Sequence, residues 1–192
     1  MQTRQAIELL AQHPVIAAIR DRKALPRAAA ASTPCVFLLA ADLMTLDQDM
    51  ALLAAAGKSV FIHMDLITGL GHDSAGIRFL SSHWHPTGII STHQHLLRAG
   101  QEEGLLTIQR VFVMDNYAIT TGLRLVKAAR ADFIELLPGV IPKAIRTVHD
   151  EIQRPIIAGG MIAETAEITQ ALQAGALAVS TGAESLWNHV NG

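Results

Sequence analysis

Short apolar runs recur along this chain at near-regular intervals, with amphipathic stretches between them. The runs fall at 15–20 (VIAAIR), 35–41 (CVFLLAA), 59–65 (SVFIHMD), 88–92 (GIIST), 105–113 (LLTIQRVFV), 132–137 (DFIELL), 155–159 (PIIAG) and 177–181 (LAVST). They are short and rich in β-branched residues, as strands buried on both faces are. Helical patterns fill the gaps at 45–56, 74–83, 93–103, 117–130, 142–153 and 164–174. Thr45 is placed to cap the first of these, and Gly57, Gly104 and Gly175 stop three of them. The first crossover, Asp21–Pro34, is short and Ala-rich, which predicts an abbreviated helix. Eight strand–helix units would take about 24 residues each. The expected fold is α/β, a compact TIM-like (βα)8 barrel with some crossover helices short. No low-complexity linker divides the chain, so 1–192 reads as one domain.

Composition narrows the classes of function. The formal net charge of −2 argues against a broad basic face for non-specific nucleic-acid binding, though not against a local one. The lone cysteine, Cys35, sits in an apolar run, reads as a buried thiol and points to a cytoplasmic compartment. No apolar stretch reaches the length of a membrane span. The first 14 residues form an amphipathic lead-in with polar interruptions, unlike a secretory signal.

In a (βα)8 barrel the chemistry gathers at the C-terminal ends of the strands. Two consecutive units there end in small residues: Pro155–Gly160 (PIIAGG) and Leu177–Gly182 (LAVSTG). Bare backbone N–H groups and hydroxyls at Gly159, Gly160, Ser180 and Thr181 make a candidate phosphate cradle. Tight strand-to-helix turns would need the same glycines. His63 and Asp65, two apart on one expected strand, share a face, and with Glu135 they would line a polar layer, bind hydroxyl groups or move a proton. Arg110 and Arg20 end their runs, where a guanidinium grips phosphate or a neighbouring carboxylate such as Glu135. Lys143 follows Pro142 at a helix start and either reaches a ligand or faces solvent. The pairs His83/His85 and His93/His95 have no third ligand in sequence, so no metal is expected. The basic groups Arg20, Arg22, Lys23, Arg27 and Arg124, Lys127, Arg130 are solvated faces or contacts to an RNA backbone.

Together these segments resemble the glycerol-3-phosphate-responsive antiterminators, the glycerol uptake operon antiterminator family. The stretches that carry the resemblance are PVIAAIRD (14–21), VFLLAADL (36–43), VFIHMDLITGL (60–70), GIISTHQHLL (88–97), GLLTIQR (104–110), DFIELLPGVIPKAI (132–145), PIIAGGMI (155–162) and ALQAGALAVSTG (171–182). The resemblance implies a TIM-barrel-like fold and a cytoplasmic bacterial regulator that senses glycerol 3-phosphate. It further implies action on the leader mRNA of a glycerol-utilisation operon to prevent early termination. On the matching positions, Gly159, Gly160, Ser180 and Thr181 would take the phosphate. Asp65, Arg110, Glu135 and His63 would line the polyol end, with Arg20 at the rim. After IIST this chain has His93 where the family pattern has Lys or Arg, which removes a permanent charge from that rim.

The first reading is therefore a ligand-sensing regulator with no catalytic residue, no cofactor, no metal and no membrane partner. Assembly into a homo-oligomer is left open. The alternative is an enzyme of isomerase or lyase type acting on a small phosphorylated polyol or sugar, and a third is a degenerate barrel serving protein interaction. No lysine lies inside a strand near its C-terminal end, which disfavours a Schiff-base aldolase.

Overall fold

The computed structural model describes residues 1–113, 126 and 130–189. Eight parallel strands close into a barrel in sequence order: β1 (Val15–Ile19), β2 (Cys35–Leu38), β3 (Ser59–His63), β4 (Gly88–Ser91), β5 (Leu106–Phe112), β6 (Phe133–Leu137), β7 (Ile156–Gly159) and β8 (Ala178–Thr181). All eight expected strands are present. Seven α-helices are seen among the described residues: α1 (Thr3–Gln12), α2 (Leu25–Ala30), α3 (Leu46–Ala55), α4 (Ser74–Trp84), α5 (Gln94–Glu102), α6 (Pro142–Glu151) and α7 (Thr165–Gln173). The first crossover is abbreviated as expected, with a 3-10 turn at Arg22–Ala24 running into the six-residue α2. The helix expected over 117–130, with Arg124 and Lys127, lies outside the described residues apart from Val126 and Arg130.

Alternation along each strand separates two environments. The inward set, Ile16, Phe37, Phe61, Ile90, Ile108, Phe133 and Ile157, fills the barrel. Phe37 and Phe61 meet edge to face at 5.7 Å. Gly88 makes room for that packing, because a Cβ there would lie 2.7 Å from the Phe61 ring. The outward sets pack under the helices as two shells. One gathers β1–β4 with α2–α5, and the other gathers β6–β8 with α6 and α7. Among the described residues, no helix is long and apolar enough to cross a membrane.

Two local features differ from the sequence expectation, and the amphipathic lead-in gains a packing role. The lead-in forms α1, whose Ala6 and Leu10 join the interior cluster and close the barrel's N-terminal end. The Thr3 hydroxyl donates to Asp132 Oδ1 at 2.8 Å, tying this plug to the start of β6. Thr45 precedes α3 without a side-chain cap; its hydroxyl turns to Asp49 Oδ2 at 3.3 Å instead. Finally, β3 ends at His63, and Asp65 sits in a 3-10 turn over Met64–Leu66. His63 and Asp65 therefore do not share a strand face. Beyond these turns, Ala41–Asp42 and Ile67–Thr68 pair as a small parallel sheet outside the barrel.

Candidate functional site

At the C-terminal mouth the inward-facing register changes from apolar to polar. Arg110 on β5 stands directly opposite Glu135 on β6. Arg110 Nε donates to Glu135 Oε2 at 2.7 Å, with side chains only 4% and 1% exposed. Ser180 on β8 donates its hydroxyl to the other carboxylate oxygen, Oε1, at 2.7 Å. One buried carboxylate thus bridges two strands that flank β7. Gly159 of β7 lies between them: a Cβ there would stand 2.6 Å from both Glu135 Oε1 and Ser180 Oγ. Its missing side chain is what lets the bridge pass.

Above this layer is a small cavity of about 100 Å3. Its wall includes Arg20, Arg110, Glu135, Ser180 and Thr181, with Gly160, Met161, Ile162 and Gly182 from the two Gly-ended loops. Gly160 and Met161 take consecutive left-handed conformations, with φ of 79° and 65°. Glycine meets this without strain, whereas methionine does so at a cost of order 1–3 kcal/mol. The β6 loop holds the turn in place, since the Gly139 N–H donates to the Gly159 carbonyl at 2.6 Å and the Gly160 carbonyl at 3.1 Å. Thr181 is occupied in holding the same wall: its hydroxyl donates to the Ile162 carbonyl at 2.6 Å and accepts from the Ala183 N–H at 3.0 Å.

His63 is 4% exposed, and its buried Nδ1 has no hydrogen-bond partner among the described residues. Burial first, and then the Arg110 charge, push its pKa down to about 4, so the ring is neutral at pH 7. Asp65 accepts from the Ser91 hydroxyl at 2.5 Å, the Thr92 hydroxyl at 2.6 Å and the Thr92 N–H at 2.8 Å. Burial opposes its ionisation, but these hydrogen bonds outweigh burial and leave its pKa lowered. It therefore clasps the β3 turn to the end of β4. His93 lies just beyond, exposed, with its N–H on Ser91 Oγ at 2.9 Å. Lys143 is exposed on α6, and it is not among the residues lining this cavity.

The basic run of the first crossover is mostly neutralised. Arg22 pairs with Asp49 at 2.7 Å and also reaches Gln48, and Arg27 forms a two-pronged pair with Glu184. Arg20, by contrast, is exposed on the cavity wall. Among the described residues, no group of three or more His, Cys, Asp or Glu could hold a metal ion.

Residues 15–187 match the family described as glycerol-3-phosphate responsive antiterminator. This chain belongs to that family. It is 34% identical over 181 residues to the protein YgcP of Escherichia coli (strain K12), covering 94% of this chain and 95% of that one. The crystal structure of the glycerol uptake operon antiterminator regulatory protein from Listeria monocytogenes superposes with a TM-score of 0.86 at 32% identity, over 90% of this chain and 94% of that one. A glycerol uptake operon antiterminator-related protein from Thermotoga maritima gives 0.81 at 28% identity, over 91% and 98%.

The clasp, the bridge and the two Gly-ended loops could be tied to their partners only through the fold. Sequence spacing alone gives no sign that Asp65 meets Ser91 and Thr92, or that Gly159 clears a path for Glu135. The signal that was available is the small residue at each strand end.

Two outcomes follow for this mouth. Glu135→Leu leaves the Arg110 guanidinium buried without its counter-charge, and should lower unfolding free energy by about 3–5 kcal/mol in urea titrations. A loss under 1 kcal/mol would mean that the pair carries no structural weight. For His63, the unfolded ring takes up its proton near pH 6.5 and the folded ring only near pH 4. Stability should therefore fall as pH drops through that window, by up to about 3 kcal/mol. His63→Asn should remove that part of the slope, and an unaltered profile would contradict the buried neutral ring.

Proposed function

We propose that this protein is a single-domain, cytoplasmic regulator that senses glycerol 3-phosphate. With the ligand bound, it acts on the leader mRNA of a glycerol-utilisation operon to prevent early transcription termination. The observation that carries this reading is the small cavity between the two Gly-ended loops, with Arg110 and Arg20 on its wall. Its size suits a phosphate group: about 100 Å3 is roughly the space of three water molecules in the liquid. The main chain at Gly160, Met161, Ile162 and Gly182 would meet the phosphate oxygens. Arg110 has five N–H donors, and among the described residues only the bond to Glu135 uses one of them. Arg20 would supply the net positive charge, because the charge of Arg110 is balanced by Glu135. The Ser180 and Thr181 hydroxyls and Gly159 shape this site from behind. His63 and Asp65 do not line this cavity, and neither is given a ligand contact.

Binding is favoured over turnover by the state of the acid–base groups. Glu135 is held by Arg110 and Ser180, Asp65 by Ser91 and Thr92, and the His63 ring is a weak base with a pKa of about 4. A proton carrier working near neutral pH would need a pKa closer to 7. RNA contact would be local, since the overall charge is −2 and the first-loop cations Arg22 and Arg27 are paired within the protein.

The test is a thermal-shift titration with glycerol 3-phosphate against glycerol and inorganic phosphate. Selective, concentration-dependent stabilisation by the phosphorylated polyol is expected. Arg110→Lys should keep a charge at the site and lose the planar fork, weakening binding by about tenfold or more. A shift with inorganic phosphate alone, or equal affinity in the lysine variant, would contradict the assignment.

A further inference from the structure

A second cavity, of about 340 Å3, opens beside the first and shares Arg20 with it. Its wall comes from the first three strand-end loops, with Asp21, Asp42, Thr45, Leu66 and Thr68 around the opening. The small sheet outside the barrel builds this wall by setting Asp42 directly opposite Thr68. Two carboxylates each use one oxygen locally: Asp42 Oδ1 accepts the Met44 N–H at 2.8 Å, and Asp21 Oδ1 accepts the Lys23 N–H at 2.9 Å. Among the described residues the second oxygen of each has no hydrogen-bond partner and is free to accept from a ligand.

The charge of this chamber decides what it takes. Arg22 is cancelled by Asp49, so Asp21 and Asp42 outweigh Arg20. A second phosphate would be repelled. An ammonium group would pair with the carboxylates but, like Arg20, it only donates, and so would leave the Arg20 guanidinium without an acceptor. Hydroxyl groups both donate and accept, and so satisfy carboxylates, threonines and guanidinium together. The volumes agree, because the inner well holds little more than a phosphate, whereas the two cavities together reach the range of ordinary ligand pockets.

We infer that the mouth is a two-chamber site, in which Arg20 separates an inner phosphate well from an outer chamber that takes a hydroxyl-rich extension of the same ligand. This rests on the phosphate-well reading above and extends its ligand class to longer polyol phosphates. Calorimetry with glycerol 3-phosphate and sorbitol 6-phosphate tests it on the wild type and on Thr68→Val, Asp42→Asn and Arg20→Ala. Sorbitol 6-phosphate should bind at least as tightly as glycerol 3-phosphate. Thr68→Val and Asp42→Asn should each weaken the longer ligand by about fivefold to tenfold and leave the shorter one unchanged. Arg20→Ala should weaken both. Thr68→Val is nearly isosteric, so it keeps the test sharp if the Asp42 variant loses its turn. Glycerol 3-phosphate binding without sorbitol 6-phosphate binding would overturn the outer chamber alone, as would Thr68→Val and Asp42→Asn variants that weaken both ligands equally or neither. Sorbitol 6-phosphate binding that depends on Thr68, with no binding of the shorter ligand, would keep the chamber and overturn the glycerol reading. Binding of neither would overturn both.

Discussion

A buried ion pair sets the form of the barrel's mouth. Arg110 and Glu135 are nearly inaccessible to water, so each depends on the other to offset the cost of leaving it. The Ser180 hydroxyl completes the carboxylate's second oxygen. The three side chains come from β5, β6 and β8, and the fourth strand in this arc, β7, contributes a glycine that keeps out of the way. The floor of the well is thus a polar layer with its charges cancelled. The next shell follows from it. The loop after β6 grips the turn after β7 through Gly139, and Thr181 grips the same turn from β8. The cavity is a gap between loops that are each held by named hydrogen bonds.

Such a floor suits recognition. A cancelled pair adds little net charge to a ligand's environment, but it presents fixed donors at a fixed place, which lowers the ordering cost of binding. The His63 Nδ1 is the complementary case: it has no partner among the described residues, and a buried polar atom in that state costs free energy. The clasp between Asp65 and the end of β4 fixes the turn that follows His63. These features make the mouth a preorganised polar layer, in a chain of the glycerol-3-phosphate responsive antiterminator family.

Much of the fold was legible along the chain because buried parallel strands have to be short, apolar and β-branched, and all eight runs obey this. The Gly-ended loops after β7 and β8 were legible for a related reason: turns that approach a ligand or another loop closely need residues without bulk. What stayed hidden depends on partners remote in sequence. α1 is only modestly apolar, and nothing in its own residues says that Ala6 and Leu10 plug a barrel. Asp65 looked like a strand residue because VFIHMD is continuous in pattern, yet the chain turns after His63 so that Asp65 can collect three hydrogen bonds from Ser91 and Thr92. The small outer sheet has two residues per strand, too short for any periodicity to announce it.

The proposed function requires a phosphate group to sit in the well between the two Gly-ended loops. A crystal structure of the protein grown with glycerol 3-phosphate tests it directly. Phosphate density is expected within hydrogen-bonding reach of the main chain at Gly160–Ile162 and Gly182, with the Arg110 guanidinium on one of its oxygens and the Arg110–Glu135 pair intact. Ligand density elsewhere on the barrel, or a well filled only by water at saturating ligand, would contradict it.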